Sequence, residues 1–290
     1  MKIGVFGSEC KEEQLEVVKG LFETLYKWKA EVYVQASFSD FLKNAFGYNP
    51  ERMGDIGENS VELDIALSVG GDGTFLRTAL LVHQQNIPVL GVNIGRLGFL
   101  ADIGSSQMDE TLDELFRGDY RIEERTLLQL SAEDYTFGGL NYALNEVAIL
   151  KRDTSSMITI HTYLNEDYLT TYQASGLVVA TPTGSTAFSM SVNGPILLSQ
   201  NRSFIISPVA PHSLNVRPIV IPDDYTILLE VESRTHSFLV SLDGRSEEIP
   251  TGVTLKINKA DFKSRLFKRH GYSFYQTLRE KLMWGADRRS

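Results

Sequence analysis

Over its first hundred residues the chain alternates between strand-like and helix-like hydrophobic spacing, and after about Arg121 it keeps almost only the strand-like kind. This switch in period restricts the fold more than any single motif. Residues 2 to 6 form an apolar run of strand length. From Glu12 to Trp28 the side chains of Leu15, Val18, Leu21, Phe22 and Leu25 recur at helical spacing. Further strands are predicted at Glu31 to Val34, Ile65 to Val69 and Pro88 to Val92, with a helix after Thr74 running to about Gln84. The stretch from Tyr48 to Gly57, rich in Gly, Asn and Glu, reads as a loop. Strands separated by helices in this way pair into a mainly parallel sheet with helices on its faces. A first α/β domain is therefore expected over residues 1–102.

Beyond it, β-branched and aromatic runs predict strands at Leu127 to Leu130, Leu144 to Leu150, Ile158 to Tyr163, Leu177 to Ala180, Ile219 to Ile221, Thr226 to Val231 and Ser237 to Ser241. One helix is predicted to interrupt them over Thr186 to Leu198. A mainly-β domain spanning 120–265 follows from this texture. The closing segment, with Phe274, Leu278 and Leu282 at helical spacing, is expected to be a helix within 270–290 that packs back on the first domain.

Charge and cysteine content remove several classes of function. The net charge of -9 is spread along the chain, with no block of Lys and Arg before the C-terminal segment, so neither a nucleic-acid groove nor an anionic membrane surface is expected. Cys10 is the single cysteine, which rules out an internal disulfide and a structural zinc site of the thiolate kind. No window approaches the roughly 20 apolar residues of a membrane span, and the start of the chain lacks a signal-peptide pattern. A soluble, cytoplasmic protein is expected.

Four segments carry chemistry. Gly70-Gly71-Asp72-Gly73-Thr74 stands where a strand ends and a helix begins, the place where open α/β sheets bind ligands and where free helix N–H groups suit phosphate. A simple chain reversal is the alternative, although it needs fewer glycines. No Gly-Lys-Ser/Thr follows, so this is not a P-loop. Asn93-Ile94-Gly95-Arg96-Leu97-Gly98-Phe99-Leu100 is a second glycine-rich turn after a strand, or else an ordinary loop in which Phe99 and Leu100 pack. Thr181-Pro182-Thr183-Gly184-Ser185-Thr186-Ala187 holds four hydroxyls in six positions, more than one helix cap requires, which suits a polyhydroxylated ligand. Finally, Asn145-Glu146 lies in an otherwise apolar strand. Either that strand is an edge facing water, or Glu146 accepts hydrogen bonds from ligand hydroxyls; composition leaves both open.

Taken in this order, GGDGT, NIGRLGFL, NE and TPTGSTA resemble the NAD kinase family over roughly residues 65 to 285, with similar stretches at Ala210 to Leu214, Arg217 to Val220 and Asp243-Gly244-Arg245. GGDGT alone also occurs in related form in diacylglycerol kinases, sphingosine kinases and phosphofructokinases. The resemblance implies a Rossmann-like first domain, a β-sandwich-like second domain, and transfer of the γ-phosphate of ATP to the adenosine ribose 2′-hydroxyl of NAD. It implies that Asp72 lies beside that hydroxyl as catalytic residue, that Gly70, Gly71 and Thr74 belong to the phosphate loop, and that Gly73 contacts the dinucleotide. By the same resemblance Asn145 and Glu146 hold the adenosine part of NAD. Thr186, Ala187, Phe188, Ser189, Met190 and Ser191 line the adenine and ribose pocket, and Arg77 lies near the phosphates.

At two positions the chain departs from the family pattern: Ser175 stands where an aspartate toward the nicotinamide end is common, and Phe188 where tyrosine is usual. A divalent cation such as Mg²⁺ is expected to arrive with ATP, since no set of protein metal ligands is evident. A homodimer or homotetramer is expected. The rival readings are a lipid kinase sharing GGDGT and a dinucleotide sensor without turnover.

Overall fold

The computed structural model describes residues 1–56, 61–95, 98–153 and 156–284. The chain forms two units, one from Met1 to Glu124 resuming at Ser264, the other from Arg125 to Lys263. The first unit thus extends past the Asp102 expected from the sequence.

In the first unit the chain runs β1 (Lys2–Gly7), α1 (Leu15–Lys27), β2 (Glu31–Gln35), α2 (Ala36–Phe46), β3 (Gly54–Ile56), β4 (Ile65–Gly70), α3 (Asp72–Leu81), β5 (Pro88–Asn93), β6 (Ile103–Gly104) and α4 (Met108–Arg117). The strands pair in parallel in the order β5-β4-β1-β2-β3, and β6 joins β5 beside Val92 and Asn93. The three residues of β3 fall inside the segment expected to be a loop, whose last residue, Gly57, lies outside the described residues. Two helices went unread in the sequence, although their signals follow ordinary rules. α2 buries Phe38 and Leu42 and stops at Gly47 with φ 65°, while α4 buries Met108, Leu112 and Leu115 and stops at Gly118 with φ 74°. Their apolar faces join Val18, Leu21, Phe22, Leu25, Leu67 and Val92 in one core.

The second unit holds two antiparallel sheets. Chain order gives β7 (Tyr120–Ser131), through which the chain enters this unit, then β8 (Tyr142–Ala143), β9 (Glu146–Leu150), β10 (Ile158–Leu164), β11 (Asp167–Ala174), β12 (Gly176–Ala180), the short helix α5 (Phe188–Ser191), β13 (Ser203–Val209), β14 (Ile219–Pro222), β15 (Ile227–Glu232), β16 (Ser237–Leu242) and β17 (Arg245–Pro250). The long strand β18 (Leu255–Arg269) leads back to the first unit, where its end pairs with Pro88 and Val89 of β5, and α6 (Phe274–Leu282) follows.

One sheet has the order β14-β13-β12-β9-β16-β17; the other aligns β11, β10, β15 and the start of β18. Val147, Ile149, Val179, Phe204 and Phe238 of the first sheet pack with Ile158, Ile160, Leu229 and Leu255 of the second, giving a sandwich core. Ala148, Val178, Ala180 and Ile205 point to the opposite face, where Phe188, Val192 and Leu197 cover them, so the central strands read as continuous apolar runs.

The helix expected over Thr186 to Leu198 does not form. A 3₁₀ turn at Thr183–Thr186 and the four residues of α5 take its place. Asn193 adopts φ 64°, the Gly194 N–H returns to the Ser189 carbonyl at 2.8 Å, and the Leu197 N–H donates to Ser185 Oγ at 3.0 Å. Side-chain closure by Ser185 and the turn before Pro195 therefore override the small-residue helix pattern.

Candidate functional site

In the first unit the strand order reverses between β1 and β4, because β1 leads to β2 on one side while β4 leads to β5 on the other. Ligands of such sheets bind beyond the carboxyl ends of the strands at this switch point. The GGDGT turn occupies it. Gly70 has φ 155°, and a Cβ there would fall 2.4 Å from Thr74 Oγ1, so only glycine allows the turn to close this tightly. Thr74 Oγ1 in turn pairs with Ser8 Oγ at 2.8 Å, tying the turn to the end of β1. Gly71 and Gly73 are exposed at the start of α3, where helix N–H groups and the helix dipole favour an anion; Arg77 is exposed farther along the same helix.

The Asp72 carboxylate does not project free. It accepts the backbone N–H of Phe99 on Oδ2 at 2.9 Å, and those of Leu100 and Ala101 on Oδ1 at 3.0 and 2.9 Å. Three of its four lone-pair directions are thereby used, leaving one for a ligand hydroxyl. The second glycine-rich segment supplies these donors. Gly98 is required there, since a Cβ would lie 1.8 Å from Asp72 Oδ1. Asn93, 3% exposed, shapes the loop by accepting the Gly95 N–H at 2.7 Å and donating to the Ala101 carbonyl at 3.2 Å. Leu100 is buried and Phe99 half-buried, while Arg96 and Leu97 lie outside the described residues.

In the second unit the strand expected over Leu144 to Leu150 is broken: Leu144 and Asn145 bend, and β9 starts at Glu146. β9 lies between β12 and β16, which overturns the edge-strand alternative for Glu146. Asn145 and Glu146 are each only 9% exposed. Asp243 holds the bend by accepting the N–H groups of Leu144, Asn145 and Glu146 at 2.7, 2.9 and 3.1 Å. It stands with Gly244 in a two-residue hairpin between β16 and β17, with φ 49° and 82°.

Glu146 differs from Asp243 in that its side chain is not saturated. One oxygen, Oε2, is buried without a hydrogen-bond partner among the described residues, and the carboxyl accepts a backbone bond from Phe188. Burial, reinforced by the charge of Asp243, pushes the Glu146 carboxyl up to about 7. Burial also raises Asp243, opposed by its three N–H donors and by Arg245.

Each of the four hydroxyls of TPTGSTA has an internal partner. Thr181 Oγ1 donates to the Leu144 carbonyl and accepts the Gly184 N–H, Thr183 Oγ1 accepts from Arg125, Ser185 Oγ donates to the Pro182 carbonyl, and Thr186 Oγ1 donates to the Thr183 carbonyl. Gly184 lies against the Asn145 backbone, where a Cβ would fall 2.1 Å from the carbonyl oxygen. The segment therefore serves as a mould for Asn145 and Glu146. Of the following residues, Ala187 leads into α5, Ser189 is buried beside Ser207, Ser191 Oγ bonds the Phe188 carbonyl, and Met190 is half-buried.

Ser175 lies elsewhere. It precedes β12, and since Gly176 pairs with Leu150 while Ala180 pairs with Glu146, Ser175 is beyond the far end of the strand, roughly 16 Å away at the usual rise per residue. Its N–H donates to Val209 and its carbonyl accepts from Lys151.

Both halves match family models: the ATP-NAD kinase N-terminal domain over residues 3–120 and the ATP-NAD kinase C-terminal domain over residues 144–269. The chain belongs to the NAD kinase family. It is 49% identical to an NAD kinase of Bacteroides fragilis, with all of both chains covered, and 46% identical to an NAD kinase of Porphyromonas gingivalis, with 98% of each covered. Among solved structures it resembles yeast NADH kinase complexed with NADH, with TM-score 0.88, 20% identity and coverage of 99% of this chain and 89% of the other. It also resembles an NAD kinase from Archaeoglobus fulgidus in complex with ATP, with TM-score 0.76, 24% identity and coverage of 98% and 99%. At these identities the two structures show the shared fold.

Sequence reasoning assigned no holding role to the Phe99 to Ala101 amides, the Asn93 side chain or the Asp243 side chain, which shape these two bends. Asp243 alone carried a usable signal, because Asp-Gly between two strand-like runs marks a tight hairpin.

Proposed function

We propose that this NAD kinase family member transfers the γ-phosphate of ATP to the 2′-hydroxyl of the adenosine ribose of NAD, yielding NADP and ADP. The observation that carries the substrate reading is Glu146: a buried carboxyl with an unpartnered oxygen, next to Asn145, is built for hydroxyl donors that arrive with a ligand. Asn145 and Glu146 hold the adenosine ribose, and Thr186 to Ser191 line its pocket with Phe188 offering an aromatic face. Ser175, at the other end of β12, serves the nicotinamide end of the extended dinucleotide.

Asp72 orients the attacking ribose oxygen with its remaining lone pair and takes up the hydroxyl proton as the O–P bond forms and the bond to ADP breaks. Gly70, Gly71, Gly73 and Thr74 cradle phosphates at the start of α3, with Arg77 nearby. Among the described residues no three His, Cys, Asp or Glu side chains assemble into a metal-ligand set. A divalent cation would enter with the ATP substrate and neutralise the charge of its phosphates.

Among the described residues no helix is long and apolar enough to cross a membrane. The single cysteine suits the cytoplasm, and Leu214, 86% exposed, and Val220, 45% exposed, supply apolar surface for a homodimer or homotetramer. ATP-dependent formation of NADP by the purified protein tests the activity. Phosphorylation of a lipid but not of NAD would replace it with the lipid-kinase reading, and NAD binding without turnover with the sensor reading.

A further inference from the structure

The amides that hold Asp72 are themselves followed by a buried ion pair. Asp102, the next residue after Phe99, Leu100 and Ala101, pairs through Oδ2 with Lys268 Nζ of β18 at 2.5 Å, and the two side chains are 6% and 2% exposed. The ammonium also lies 4.2 Å from the centre of the Tyr272 ring. A buried pair of this kind gives little net stability over an apolar packing, so its location calls for a reason other than stability.

The loop is also tied toward β5. Ile103 pairs with Val92, the Asn93 amide holds the Ala101 carbonyl, and a Cβ on Gly91 would meet the Ala101 Cα at 2.7 Å. Lys268 grips the loop from another strand, whose own place beside β5 is set by the Arg265 and Leu266 pairing with Pro88 and Val89. We propose that Lys268 is a positioning residue for phosphoryl transfer: through Asp102 it fixes the peptide planes of residues 99 to 101 and so the direction of the Asp72 carboxylate. This rests on Asp72 acting on the ribose hydroxyl. A displacement of about 1 Å at a reacting group can lower a rate by up to about a hundred-fold, which is the scale on which such a tether matters.

Lys268→Met should lower kcat roughly ten- to hundred-fold while the Kd for NAD changes less than about three-fold, and Lys268→Arg should restore most of kcat. In an Asp72→Asn background the same Lys268→Met change should alter the residual kcat by less than about two-fold, since the group it directs is gone. Amide hydrogen exchange should accelerate at residues 99 to 101 in Lys268→Met ahead of the rest of the unit. Should Lys268→Met fail to fold because Asp102 is left buried and unpaired, Lys268→Met with Asp102→Asn removes both charges and carries the same expectations. Undiminished kcat, a full multiplicative loss on top of Asp72→Asn, or unchanged exchange at 99 to 101 would each overturn the proposal. If Asp72→Asn itself turns over normally, the assignment of Asp72 fails first and the positioning role with it.

Discussion

Asp72 in the first unit and Asp243 in the second solve the same local problem in the same way. Each carboxylate collects three consecutive backbone N–H groups, 99 to 101 for Asp72 and 144 to 146 for Asp243, and so pins a bend at the carboxyl or amino end of a strand. The difference lies in what the pinned backbone carries. At Asp72 the anchoring carboxylate is itself half-exposed and is the group proposed to act. At Asp243 the anchor is spent internally, and the bend it holds delivers another acid, Glu146, with one oxygen unpartnered. In the first unit anchor and actor coincide; in the second they are separate residues.

The largest effect should follow where they coincide. Asp72→Asn is expected to lower kcat by about two to four orders of magnitude, the usual range for a lost acid or base. Because asparagine turns one acceptor oxygen into a donor facing a backbone N–H, it should also loosen residues 99 to 101, at a cost of about 1 to 3 kcal/mol. Steady-state kinetics with denaturation curves measure both, and turnover within a few-fold of wild type would remove Asp72 from the reaction.

Asp243→Asn should separate anchoring from action. A stability loss of about 1 to 3 kcal/mol and weaker NAD binding are expected, with kcat at saturating NAD nearly unchanged. A loss confined to kcat would mean that Asp243 takes part in the chemistry.

Glu146→Gln should raise the Kd for NAD by roughly ten- to a hundred-fold at pH 8, the equivalent of about 1.5 to 3 kcal/mol for a hydrogen bond to a charged group. Since the Glu146 carboxyl lies near 7, against a usual 4.5, the gap should narrow toward pH 6, where the wild-type group is protonated. The same shift fixes the sign for folding. A carboxyl raised in the folded state binds its proton more tightly there than in the unfolded chain, so wild-type stability falls as pH rises from about 4.5 to about 7. Glu146→Gln should therefore melt above wild type at pH 8 and close to it at pH 4.5. Parallel melting curves for the two proteins across this range would contradict a buried, titrating Glu146.

The smallest effect concerns Ser175, whose backbone is locked on both sides. Ser175→Asp should tighten NAD binding by up to about 1.5 kcal/mol, the difference between charged and neutral hydrogen bonds, with less effect on ADP-ribose. Calorimetry with both ligands decides, and weaker NAD binding would mean that this end of β12 offers the added carboxylate no partner.

How much of this was readable in advance varies with the range of the interactions. Gly70, Gly71, Asp72, Gly73 and Thr74 were legible because a glycine-rich turn between a strand and a helix is a local pattern, and the period switch near Arg121 separated an α/β region from a β region. The identity of Asn145-Glu146 as unusual was legible too, since an acid in an apolar run conflicts with its neighbours. That β9 is central and not an edge was not, because strand order depends on partners at Ala180 and Leu242 far along the chain.

The sequence by itself determined the switch from alternating helix and strand to strand texture, the glycines that only a tight turn explains, and the four motifs whose order resembles the NAD kinase family. Tertiary structure alone decided which acids are saturated and which remain open. It joined Asp72 to amides 27 to 29 residues away, Asp243 to amides 97 to 99 residues away, and Lys268 to Asp102 across 166 residues. Side-chain hydrogen bonds over such separations leave no periodicity behind them, because their geometry exists only once the strands that carry both partners have paired.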